Sequence, residues 1–99
     1  MIVKRDPRIH KQLHALSHKD KAQVEGVIGL FEEYGFFLTP PYLKKLAPGL
    51  WELKSGRLRL LFGLVERDAV IVTMFLKQTQ KTPLKEIRLA ISRLKEYLL

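Results

Sequence analysis

Between Leu50 and Leu76 apolar residues recur at every second position, the period that a β-strand turns into one buried face. Leu50-Trp51-Glu52-Leu53-Lys54 alternates, Ser55-Gly56 supplies a turn, and Leu58, Leu60, Phe62 and Leu64 fall on one face of the next segment. Glu66-Arg67-Asp68 marks a second turn. Val70 to Leu76 is apolar on both faces, the pattern of a central strand. The reading is an antiparallel meander, with Arg57 and Arg59 on the face opposite Leu58 and Leu60.

The flanks read as helix. After Asp6-Pro7, the positions Ile9, Leu13 and Leu16 recur at helical spacing, and after Ser17-His18-Lys19-Asp20 a second set, Val24, Val27, Ile28 and Phe31, does the same. This predicts a helical hairpin ending near Tyr34-Gly35, with Ile2 and Val3 as a short opening strand. Gly26 and Gly29 each lower helicity by about 1 kcal/mol relative to alanine, though small residues can permit close packing against the other helix. Thr39-Pro40-Pro41 forces an extended passage. Ile87, Ala90, Ile91, Leu94 and Leu98 form the apolar stripe of a C-terminal helix that covers or flanks the sheet. The expected fold is α+β, one domain over residues 1–99, with an N-terminal helical hairpin, a twisted antiparallel sheet and a C-terminal helix.

Composition narrows the function classes. With 99 residues, 46% of them hydrophobic, the chain can build a core without metals or bridges, and the absence of cysteine excludes disulfides and thiolate metal sites. The longest apolar run, Ala69 to Leu76, is too short to cross a bilayer, and Met-Ile-Val-Lys-Arg-Asp-Pro lacks the apolar core of a signal peptide. A cytoplasmic protein with no membrane partner is expected. Charge is more informative. Residues 1–43 carry six Lys and Arg against five Asp and Glu, whereas residues 44–99 carry twelve against five, so nearly all of the net +8 lies in the later part. That concentration, with a pI near 10.0, is the electrostatic footprint of a partner such as nucleic acid or another polyanion.

Alternation places the candidate chemistry. Trp51 and Leu53 share one strand face, so Glu52 and Lys54 join Arg57, Arg59 and Lys77 on the other, a cationic cradle on an open sheet surface. The stretch Leu76-Lys77-Gln78-Thr79-Gln80-Lys81-Thr82-Pro83 then joins the last strand to the C-terminal helix through a loop rich in hydrogen-bond donors. Thr82 is the expected N-cap and Pro83 the first helical residue, leaving free amides that favour an anion. Cleavage of RNA through its ribose hydroxyl needs a base for the 2′-OH, positive charge on the phosphate and an acid for the leaving oxygen. Arg59, Lys54, Lys77 and Lys81 are the candidate cations, and Glu52 or a lysine the candidate proton carrier. Equally, Glu52 fits a plain cross-strand ion pair with Lys54, Arg57 or Arg59.

His10, His14 and His18 lie at i, i+4 and i+8, but no carboxylate or cysteine completes a ligand set, so they are assigned to solvent or partial packing and no metal is expected. Trp51 is assigned to the core, and Tyr42 and Phe37 are the better base-stacking candidates.

The order Lys44-Lys45-Leu46, Gly49-Leu50-Trp51-Glu52-Leu53-Lys54, Arg57-Leu58-Arg59-Leu60-Leu61-Phe62, Phe75-Leu76-Lys77-Gln78-Thr79-Gln80-Lys81-Thr82-Pro83 and Glu86-Ile87 resembles the phage-derived HigB-like branch of the RelE/ParE toxin superfamily. It covers residues 38–98 well. The resemblance implies the toxin of a type II toxin-antitoxin system: a ribosome-dependent mRNA endonuclease (mRNA interferase), metal-independent and without a cofactor, that inhibits translation. Its partners would be mRNA on the ribosome and a cognate antitoxin carrying a helix-turn-helix domain. Arg59, Glu52, Lys54, Lys77 and Lys81 are thereby the catalytic candidates, and Lys44, Lys45, Arg57, Gln78, Thr79 and Gln80 the RNA-binding ones. Leu58 stands where the family usually has tyrosine and Gln78 where it often has a second lysine. Two alternatives stay open: a ParE-like toxin that inhibits a topoisomerase, and a catalytically silent module that binds RNA or antitoxin.

Overall fold

The alternating segments form strands in the computed structural model, which describes residues 1–98. In chain order the elements are β1 (Val3–Arg5), α1 (Pro7–His14), α2 (His18–Tyr34), a 3-10 turn (Gly35–Phe37), β2 (Leu43–Ala47), β3 (Leu50–Ser55), β4 (Leu58–Val65), β5 (Asp68–Leu76) and α3 (Leu84–Tyr97). The sheet order is β1-β5-β4-β3-β2. Strands β2 to β5 form the expected antiparallel meander, with Trp51 opposite Phe62, Leu53 opposite Leu60 and Leu60 opposite Met74.

Two expectations are corrected. The sheet is mixed, because β1 runs parallel to β5 with Val3 beside Ala69 and Arg5 beside Ile71. The opening strand expected at Ile2 and Val3 is present, shifted to Val3–Arg5, so the helical hairpin comes second rather than at the N-terminus. Physically, α1 and α2 carry the chain across one face of the sheet, from the β1 edge to the β2 edge, and the meander then returns to meet β1. Strand β2 is a further element that the sequence hides, since two exposed lysines and a register shift between Lys45 and Ala47 spoil its alternation.

Each face of the sheet buries its own core. Leu53, Leu60, Phe62, Ile71 and Met74 pack against Ile9 and Leu13 of α1 and Val24, Val27, Ile28 and Phe31 of α2. The rings of Phe31 and Phe62 lie 4.7 Å apart, and half-buried Trp51 stacks on Phe62 at 5.8 Å. On the other face Leu50, Leu61, Val70 and Val72 meet Ala90 and Leu94 of α3. Fully burying one such aliphatic side chain is worth about 1.5–3 kcal/mol, so the two layers dominate stability. Gly63 is what lets α3 seat: a Cβ there would stand 2.6 Å from Leu94 Cδ1 and 2.9 Å from the Gly49 carbonyl.

Helix α3 is turned relative to the expected stripe. Ile91 and Leu98 are exposed, while Tyr97 swings inward to donate its hydroxyl to Asp6 Oδ2 at 2.6 Å. Asp6 is only 2% exposed and caps α1 by accepting from the Arg8 amide at 2.8 Å. The Arg8 guanidinium closes on the same carboxylate at 2.7 and 2.8 Å and reaches Glu96 at 2.8 Å. The Arg8 contact holds the Asp6 carboxyl well below the usual carboxylate range in spite of its burial. Burial first, and Asp6 second, push the Tyr97 phenol up to about 12.

Gly26 and Gly29 do not serve close packing. Both are exposed, and a Cβ at either would meet nothing within 4 Å. Among the described residues no helix is long and apolar enough to cross a membrane.

Candidate polyanion-binding site

The β3–β4 hairpin sets Lys54 directly across from Arg59, and Arg59 across from Phe75 of β5. These three occupy the face away from α1 and α2, because the alternating neighbours Leu53, Leu60 and Met74 face those helices. Gly56 makes the tight turn between the strands at a φ of 60°. Past β5 the ladder continues for one bond, from the Lys77 amide to the Arg57 carbonyl at 2.8 Å. The chain then folds over the sheet: the Thr79 hydroxyl donates to the Lys81 carbonyl at 2.7 Å, and the Thr82 hydroxyl to Glu52 Oε1 at 2.7 Å.

The result is an open-mouthed cavity of about 590 Å³ lined by Lys54, Gly56, Arg57, Arg59, Lys77, Gln78, Thr79 and Gln80. Four of these carry positive charge and none negative. Among the described residues none of the four cations makes an ion pair. Arg59 is the most constrained. It is 9% exposed, its Nη1 donates to the carbonyls of Gly56 at 2.7 Å and Leu58 at 3.0 Å, and its Nε is buried without a partner. A guanidinium fixed by two carbonyls, with no carboxylate to neutralise it, is preorganised for an external anion. Each contact with a phosphate is worth about 4 kcal/mol of Coulomb energy at 4 Å under an effective dielectric of 20, before desolvation is subtracted.

The sheet surface expected to be open is roofed by residues 77–83. Glu52 is consequently only 4% exposed and bonds Thr82 rather than a cation of the hairpin. Thr82 is therefore not the N-cap of α3. That position falls to Pro83, without a side-chain cap bond, and the helix begins at Leu84. Lys81 lies exposed outside the cavity lining. Lys44, opposite Glu52 on β2, is exposed and also outside the lining. Lys45 sits opposite Trp51 with its ammonium 5.8 Å from the indole, on the side of the α1–α2 layer.

Thus the structure gathers Arg59, Lys54, Lys77, Arg57, Gln78, Thr79 and Gln80 into one cavity, leaves Glu52 beneath its roof, and separates Lys44, Lys45 and Lys81 from it. Leu58 packs half-buried against the α1–α2 core. A tyrosine at that position would start from the core side rather than from the cavity. The sequence reading missed Gly56 in the lining and Phe75 beside Arg59, although alternation across the β4–β5 turn carries the second. His10, His14 and His18 are exposed, and Ser17 ends their alignment by capping a new helix. Among the described residues no group of three His, Asp or Glu side chains is placed to hold a metal ion.

A small basic α+β domain with a five-stranded mixed sheet, three helices and a cationic cavity at one end of the sheet is the class these features define. Residues 11–95 match the family of phage-derived Gp49-like proteins, and the chain belongs to that family. Among curated proteins none matches the chain.

Proposed function

We propose that the chain is the toxin of a type II toxin-antitoxin system, of the HigB-like branch, and that it cleaves mRNA on the ribosome. The observation that carries this reading is the buried guanidinium of Arg59, unneutralised and flanked by Lys54 and Lys77 in one cavity. In this reading Arg59 and Lys54 hold the non-bridging oxygens of the scissile phosphate, while Lys77 and the side chains of Gln78 to Gln80 track the neighbouring backbone. The ribose 2′-oxygen attacks phosphorus, its proton passes to a base, and the 5′-oxygen leaves with a proton from an acid. The products are a 2′,3′-cyclic phosphate and a 5′-hydroxyl. Glu52 is the carboxylate of β3, and with Oε1 held by the Thr82 hydroxyl its second oxygen is the one left to carry a proton. The cognate antitoxin, with a helix-turn-helix domain, holds the toxin inactive.

The test is induced expression followed by mapping of cellular RNA ends. Cleavage within translated messages, lost in Arg59→Ala with the protein still folded, is the expected outcome. Intact messages accompanied by a DNA-damage response would transfer the chain to the topoisomerase-inhibiting class.

A further inference from the structure

Four buried side-chain polar atoms lack partners among the described residues, and they fall in two places. Ser55 Oγ and Arg59 Nε lie at the β3–β4 turn. Thr73 Oγ1, on β5, and Arg93 Nε, on α3, lie beside a second cavity of about 330 Å³ whose lining includes Arg8, Lys11, Gln12, Thr73, Glu86 and Arg93. Three cations and one carboxylate surround it.

This cavity exists because β1 is short. Strand β1 pairs with β5 only as far as Ile71, so the edge of β5 beyond it has no strand partner. At the same place β5 bulges, with Leu61 opposite Thr73 and Phe62 opposite Ile71, leaving Val72 as the extra residue. Side chains cover the open edge instead of a strand. Arg93 Nη1 donates to the Val72 carbonyl at 2.7 Å, and Gln12 Nε2 to the Met74 carbonyl at 3.4 Å. Arg8 is spoken for by Asp6 and Glu96, but Lys11 is exposed and makes no ion pair among the described residues. Thr73 is 1% exposed, with its hydroxyl unspent. A buried hydroxyl without a partner is destabilising, and a ligand oxygen that accepts from it removes that cost.

We propose that this cavity is a second phosphate site, which holds a backbone phosphate of the same single-stranded RNA that crosses the first cavity. The proposal rests on the RNA reading given above. Along β5, Thr73 and Lys77 are four residues apart, about 14 Å at the rise of an antiparallel strand, so a short stretch of RNA spans both cavities. The Lys11 ammonium and the Arg93 guanidinium supply the charge, and the Thr73 hydroxyl turns to donate to a phosphate oxygen. A polymer with a charge on every unit matches two separated cationic cavities better than a single small anion does.

The experiment uses the full chain and a 2′-O-methyl RNA octanucleotide, which binds but lacks the attacking hydroxyl. In an NMR titration the Thr73 amide and the Arg93 Nε–H signal should shift at the same RNA concentrations as Lys77 to Gln80. Lys11→Gln should make the slope of log affinity against log salt shallower by about 0.7, the value for one single-strand phosphate contact. Thr73→Val, which keeps the shape and drops the hydroxyl, should weaken RNA binding while the fold is retained. Shifts confined to Lys77–Gln80, with the slope of Lys11→Gln unchanged, would overturn the second site and leave the first standing. No shift at either cavity would overturn both readings. Shifts of Thr73 and Arg93 by a glutamate-rich peptide but not by the RNA would overturn the phosphate assignment in favour of an acidic protein segment.

Discussion

Arg59→Met separates function from stability. The wild-type side chain is 9% exposed, makes two bonds to the carbonyls of Gly56 and Leu58, and leaves Nε unpartnered. Two charge-assisted hydrogen bonds are worth about 3 kcal/mol together at the lower end of their range. Against this, removing the unpartnered Nε recovers about 1–3 kcal/mol, and not having to desolvate an unneutralised cation recovers about the same or more. Methionine also fills most of the space with apolar atoms. The balance runs from about 1 kcal/mol less stable to about 3 kcal/mol more stable than wild type, centred near 1 kcal/mol in favour of the variant. For a chain of this size that centre is a rise in melting temperature of about 4–8 °C. Calorimetry reads the stability, and cleavage of a ribosome-bound message reads the activity, which should vanish. A melting temperature lowered by more than about 8 °C would mean that Arg59 holds the hairpin together rather than awaiting a ligand. Retained cleavage would remove it from the chemistry.

The Asp6 cluster should make the fold acid-sensitive. Because the folded carboxyl titrates below its unfolded value near 3.9, its contribution is complete above about pH 4 and disappears as pH falls through the depressed folded value. Asp6→Ala, losing the cap and the Arg8 bonds, should cost about 2–4 kcal/mol at neutral pH by denaturant titration and flatten this acid limb. Tyr97→Phe should cost about 1–2 kcal/mol; the wild-type phenol, raised to about 12, adds stability that is complete below pH 10 and lost as pH rises through that value, which phenolate absorbance will follow. Gly29→Ala should stabilise by about 0.4–1 kcal/mol in the same titration, because its Cβ meets open space on α2, and a loss would mean that the exposed face is covered in solution. Thr82→Val should leave the melting temperature within a few degrees yet loosen residues 77–83, seen as faster amide exchange at Lys77 to Lys81 and reduced cleavage.

The parts of the fold that were legible are those whose cause is local. Strands β3, β4 and β5 announce themselves because their inner positions are apolar and buried and the turns at Gly56 and Glu66-Arg67 are tight. Strand β2 does not, because Lys44 and Lys45 occupy consecutive positions on opposite faces at an edge. That Ile2 and Val3 lie beside Ala69 depends on where two helices deliver the chain, which no short window contains. The same division holds at the cavity. Lys54 facing Arg59 follows from alternation about a two-residue turn. Glu52 sealed by Thr82 follows from the path of residues 77–83 and has no local signature, and neither does an arginine from α3 covering a carbonyl of β5.

The Asp6–Tyr97 contact joins residues 91 positions apart, and Arg8–Glu96 spans 88. Closing a loop of that length costs about 4 kcal/mol of chain entropy beyond the constant term, so these bonds cannot seed folding and form after the meander has assembled. Strand β1 waits as well, since its partner β5 is translated more than sixty residues later. A nascent chain emerging from the ribosome therefore carries its first strand unpaired until β5 has followed, and Asp6 and Arg8 without Tyr97 and Glu96 until α3 has followed in turn.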